Sequence, residues 1–144
     1  GSWQARVDGL PGICVPVCIK MESELAGLTG QDKQEYLQSV GLERSGLEAL
    51  IRASYELLGL ITFFTSGADE ARAWTIARNT KAPQAAGKIH TDFEKTFIRV
   101  EVTPCQAYLE QGGEAACRAK GLTRIEGKDY VVQDGDVCYF RVGA

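Results

Sequence analysis

The stretch that most constrains this chain runs from Thr80 to Val102, TKAPQAAGKIHTDFEKTFIRVEV. Thr80 reads as a helix cap, with Pro83 in the first turn, where its missing N–H does little harm. Ala82, Ala85, Ala86, Ile89 and Phe93 then fall on one stripe. Gly87 lies inside this helix at a cost of about 1 kcal/mol, which close approach to a sheet beneath would offset. A strand follows, with Ile98, Val100 and Val102 expected inward and Arg99 and Glu101 outward. A helix delivered straight into an alternating strand needs further strands to pack on.

Upstream, LITFFT and EARAWTIA flank the loop Ser66–Asp69, the pattern of a hairpin. Downstream, CQAYLE and EAACRAK read as short helices separated by Gly112 and Gly113. The tail DYVV, QDGD, VCYFRV reads as a closing hairpin with Gly135 at positive φ. Strand, strand, helix, strand, a loose crossing and a hairpin amount to a β-grasp plan.

Before Leu60 the pattern differs. Trp3–Gly12 reads as a frayed helix end and a turn, and Gly1-Ser2 as a cloning remnant. ICVPVCI, from Ile13 to Ile19, is continuously apolar, as in a strand buried on both faces. It has no neighbours upstream, so it reads as the last strand of a larger domain. Met21–Leu28 and Asp32–Val40 read as short helices. Ser45 with Glu48 makes a capping box for a helix whose Leu47, Leu50, Ile51, Tyr55 and Leu58 need a surface to cover them. The domain boundary falls near residues 60–62, giving a segment 3–60 and a domain 61–144.

Composition narrows the functional classes. The chain of 144 residues is 44% apolar and 24% charged with net charge −3, so a whole-surface nucleic-acid binder is disfavoured. The acidic excess lies wholly before Phe63, and the remainder is balanced, leaving room for a local basic face. Lys81, Lys88, Lys95, Arg99, Lys128 and Arg141 are its candidates, and a solvated mixed surface is the competing reading. Trp74 and Tyr139 are either base-stacking platforms or core residues. His90, the only histidine, either caps the helix exit or contacts RNA or a partner. Asp92 reads as a turn former. A hydrolase pairing Cys105 with His90 has only residue types in its favour. The five cysteines read as reduced thiols of a cytoplasmic protein, without metal-ligand spacing, and no run is long enough to span a membrane.

The segments RAWTI, TKAPQAAGKIHTDFEKTFIRVEV and EGKDYVVQDGDVCYFRV resemble the C-terminal TGS domain of the YchF/Obg-like ATPase family. The resemblance runs from Leu60 to Val142. VPVCIKMESELAGL resembles the last strand and base-contacting loop of that family's P-loop NTPase domain, where many relatives have VPxSAxxExxL. Cys18, Ile19 and Lys20 would be part of that loop, with Cys18 where many relatives have serine. The helix from Ser45 resembles the domain's final helix.

The resemblance implies an α+β fold: a β-grasp TGS domain preceded by a partial α/β P-loop NTPase domain. It implies a parent that binds ATP with Mg2+ and works with ribosomes, and a TGS domain that contacts RNA or the ribosome. The chain has no GxxxxGK[ST] and no NxxE. It is therefore expected to lack cofactors and catalytic residues of its own and to act as a docking piece. A protein-interaction module without RNA binding is the second reading. An apolar helix and strand without their sheet also invite self-association.

Overall fold

A computed structural model describes residues 12–67 and 70–143. The reading of Trp3–Gly12 as a helix end lies almost wholly outside them. The chain divides into two compact units, Gly1–Leu57 and Leu58–Ala144.

The first unit is helical: α1 (Ile19–Leu25), α2 (Gly30–Ser39) and α3 (Gly46–Leu57). Residues 13–18 form no strand, which corrects the reading of ICVPVCI as a sheet strand. Apolar continuity favours burial, but a strand also needs a partner for its N–H and C=O groups, and Pro16 lacks one of those donors. Ile13 and Ile19 stand exposed, Ile19 at 82%. Helix α3 starts as expected at one point: the Glu48 N–H donates to Ser45 Oγ at 3.2 Å. The second half of the capping box is replaced, because the Glu48 carboxylate pairs with Lys33 Nζ at 2.7 Å. The Gly46 N–H donates to Glu22 Oε1 at 2.7 Å, placing a carboxylate at a helix start. The expected burial of the α3 stripe is also corrected, since Leu47, Leu50, Ile51 and Leu58 all remain exposed.

The second unit is built on five strands: β1 (Leu60–Ser66), β2 (Ala71–Ala77), β3 (Phe97–Pro104), β4 (Arg124–Glu126) and β5 (Asp136–Val142). The sheet order is β2-β1-β5-β3-β4. β1 and β2 form the expected antiparallel hairpin, while β5 lies parallel to β1 and antiparallel to β3. Helices α4 (Ala82–Ile89) and α5 (Thr91–Lys95) lie between β2 and β3 in the chain, and α6 (Cys105–Gln111) and α7 (Glu114–Ala119) follow β3. One core unites Ile61, Phe63, Ile76, Val100 and Val102 with Ala82, Ala85 and Ala86 of α4.

Several local readings are corrected. Thr80 does not cap α4; its hydroxyl donates to the Ala77 carbonyl at 2.6 Å, and Lys81 holds the cap position. The Ala82 N–H is satisfied instead by the Tyr130 carbonyl at 2.8 Å. The single helix expected through Phe93 is two, because His90 leaves helical geometry at φ −152°, ψ 134°. Gly87 makes room for Glu94 of α5 rather than for the sheet: a Cβ there would lie 2.9 Å from Glu94 Oε2. The closing hairpin is absent among the described residues, and Val131 instead bridges to Lys81. Gly135 does take φ +81°, and its N–H donates to the Thr62 carbonyl at 2.8 Å, setting β5 beside β1. Strand β4 carried too few apolar residues to be foreseen. No helix among the described residues is long and apolar enough to cross a membrane.

Candidate functional site

The sheet separates the candidate cations onto two sides. Val100 and Val102 join the core with α4, so the alternate residues of β3, Arg99 and Glu101, face the other way. Ile98 was expected inward and is exposed, because the register shifts between Phe97 and Arg99 and leaves one residue over.

On the helix side, Lys88 lies in the last turn of α4 and Lys95 in the last turn of α5. Both are exposed and, among the described residues, neither makes an ion pair. His90 sits between the two helices. Its Nδ1 accepts the Asp92 N–H at 3.3 Å, and its ring lies 5.5 Å from that of Phe93. The histidine thus serves as the N-cap of α5, and no hydrogen bond joins it to Cys105. Lys81 is engaged with Asp129 at 2.7 Å, and this hydrogen bond holds the Asp129 carboxyl below its ordinary range. Lys128 is exposed in the adjoining turn.

On the opposite side, Arg99 of β3 stands directly across from Arg141 of β5. Like charges placed so repel, and Glu101 resolves the conflict. Its carboxylate, from a residue only 7% exposed, accepts Arg141 Nε at 3.3 Å and lies 3.9 Å from Arg99 Nη2. Arg118 of α7 reaches the second carboxylate oxygen and also pairs with Glu114 at 2.7 Å. Glu101 was expected to be solvent-facing; it is buried because three guanidiniums cover it. The three arginine side chains remain 49%, 50% and 44% exposed for Arg99, Arg118 and Arg141. Tyr139 lies directly across from Glu101 with the Arg141 guanidinium 4.4 Å from its ring centre. Beside this group a shallow cleft is lined by Thr103, Tyr108, Thr123 and Tyr139, with Thr103 and Thr123 hydroxyls bonded at 2.9 Å.

The two aromatic candidates separate. Trp74 packs on the core, stacked on Phe63, with its indole N–H donating to Thr65 Oγ1 at 2.9 Å. Tyr139 is on the open face and 39% exposed. Sequence reasoning missed Arg118 and the role of Glu101. The available signal was the spacing Arg99-x-Glu101 against Tyr139-x-Arg141, which becomes a cluster once the two strands pair.

Cys18, Ile19 and Lys20 lie at the start of α1 as exposed residues. Among the described residues no group of three or more His, Cys, Asp or Glu is placed to hold a metal ion.

Comparison with known proteins places this architecture. Residues 60–143 match the YchF-GTPase_C family model, described as a protein of unknown function (DUF933). The chain is 53% identical over 127 residues to the ribosome-binding ATPase YchF of Bacillus subtilis, covering 88% of this chain and 35% of that protein. It is 47% identical over 141 residues to Obg-like ATPase 1 of Gallus gallus, covering 97% of this chain and 35% of the relative. The Schizosaccharomyces pombe YchF GTPase superposes with a TM-score of 0.77 at 37% identity, covering 96% of this chain and 37% of that one. The chain thus spans about a third of the length of the relatives it matches, 35% in both curated cases. The mixed α+β sheet unit, the family model over residues 60–143 and relatives at about half identity lead to one conclusion: this chain belongs to the YchF family of Obg-like ATPases.

Proposed function

We propose that this chain is the C-terminal part of a YchF-type ATPase and serves as its ribosome-docking piece. The observation that carries the reading is that close relatives bear the name ribosome-binding ATPase while the YchF-GTPase_C family model falls on the sheet unit of this chain. That unit is read as a β-grasp TGS domain over 61–144, a reading supported by the order β2-β1-β5-β3-β4 with helices between β2 and β3. Segment 3–60 is read as the end of the P-loop NTPase domain. ATP and Mg2+ then belong to the parent protein, docking occurs in the cytoplasm, and this chain carries no turnover of its own.

The test is co-sedimentation of the chain with ribosomes across a salt series, alone and with Lys88→Glu and Arg99→Glu. Attraction to ribosomal RNA requires binding that weakens with salt and with charge reversal. Binding indifferent to both sinks the RNA reading.

A second reading, a protein-interaction module, is favoured by a specific feature: the edge strand β4 exposes Ile125, and α3 exposes a leucine-rich stripe. On that reading the same stripe supports self-association, and ribosome binding survives removal of the exposed cations.

A further inference from the structure

The candidate cations cannot act as one patch, because the sheet lies between them. The question is which side meets RNA. On the helix side Lys88 and Lys95 are lone ammonium groups on short helices; the histidine between those helices is occupied as a cap, and the ring of Trp74 packs on the core.

The other side is built differently. Three guanidiniums converge on the single buried carboxylate of Glu101. Glu101 and Glu114 together offset two of the three charges, so the group keeps a positive excess. The shared carboxylate also fixes the guanidiniums in place, which lowers the entropy cost of a further contact. Each arginine side chain is about half exposed, and a guanidinium carries five N–H donors, more than these pairings use. Tyr139 lies among them with part of its ring open. Ordered guanidiniums around a half-open aromatic ring on a sheet surface match a sugar-phosphate backbone with an unstacked base.

We propose that the face bearing Arg99, Arg118, Arg141 and Tyr139, held by Glu101, binds single-stranded RNA. The arginines take phosphates and Tyr139 stacks a base. The inference rests on the ribosome-docking reading and specifies which face and which ribosomal component it uses.

The experiment is fluorescence anisotropy of labelled oligouridylate with the 144-residue chain across a salt series. Arg99→Gln with Arg141→Gln is compared with Lys88→Gln with Lys95→Gln, two pairs that remove the same charge from opposite sides. The arginine pair is expected to weaken binding about 10-fold or more and to flatten the log–log salt slope by about 0.7 for each lost contact. The lysine pair should change affinity less than about 2-fold. Tyr139→Ala should cost about 10-fold, and Tyr139→Phe should restore most of it, because stacking needs the ring and not the hydroxyl.

Thermal melts accompany each variant. If the arginine pair melts early, the Tyr139 variants decide. An equal or larger loss from the lysine pair, or Tyr139→Ala binding as well as the unsubstituted chain, overturns the face assignment. Ribosome co-sedimentation without oligouridylate binding overturns the RNA assignment and leaves docking through protein standing. Loss of both overturns the docking reading itself.

Discussion

Helices α3 and α4 carry equally regular apolar stripes, yet only one of them is buried. α4 puts Ala82, Ala85 and Ala86 at zero exposure against the sheet, whereas α3 buries none of its residues and leaves Leu57 75% exposed. The difference lies outside either helix. α4 is made of small residues that let its backbone approach a sheet closed by pairings from distant parts of the chain. α3 has large side chains and, among the described residues of its own unit, no strand to pack on. A periodic stripe states that a helix needs a surface; it does not supply one.

Substitutions sharpen this contrast most strongly. Phe63, fully buried between Trp74 and Phe140, should lose about 3–5 kcal/mol on replacement by alanine, read as a lower urea midpoint. Leu50→Ala in α3 should stay within about 0.5 kcal/mol in the same melt. A comparable loss at Leu50 would mean that the α3 stripe is covered in solution, and that the loss depends on protein concentration if a second copy covers it.

The thiols give a second contrast, with a pH dependence. Cys14 and Cys18 are exposed and Cys117 and Cys138 buried, so a maleimide should label the first pair promptly and the second only on unfolding. Burial, helped by the charge of Asp136, pushes the Cys138 thiol above its ordinary value of 9.0. Burial and the hydrogen bond to Asp136 likewise push the Tyr130 hydroxyl above its ordinary value of 10.0. Both groups keep in the fold a proton that the unfolded chain releases. Their contribution is complete below about pH 9 and falls as the pH rises beyond it, by up to about 1.4 kcal/mol per pH unit for Cys138. Urea melts from neutral to alkaline pH check this, and Tyr130→Phe should remove the part that starts at the higher pH. A flat alkaline profile would contradict the assigned burial.

The smallest effect is expected at His90. Its Nδ1 satisfies one N–H at the start of α5, so His90→Ala should cost about 0.5–1 kcal/mol and His90→Asn much less, by thermal melt. Abolished ribosome binding at unchanged stability would instead make His90 a contact residue.

Much of the sheet unit was legible in the residues. LITFFT and ARAWTI alternate and are split by a glycine-containing turn, and VCYFRV and FIRVEV have the periodicity of half-buried strands. Pairing partners were less legible. By proximity DYVV is the natural mate of VCYFRV, but Gly135 and Asp134 bond to Thr62, and this ties the start of β5 to β1. The site was half legible: Arg99, Arg141 and Tyr139 were candidates by type, while Glu101 was assigned to solvent and Arg118 was overlooked.

What the sequence determined by itself is what depends on neighbours along the chain. This includes the periods of the helices and strands, the glycine at Gly135, the Ser45 cap and the motifs that mark the family. What only the tertiary structure decided depends on groups far apart in the chain. It put a bulge at Ile98, broke the central helix at His90, and gathered Arg99, Arg118 and Arg141 on one carboxylate. The physical reason is that backbone period acts over a few residues, whereas burial and charge pairing follow distance in space, set by the order in which the strands close.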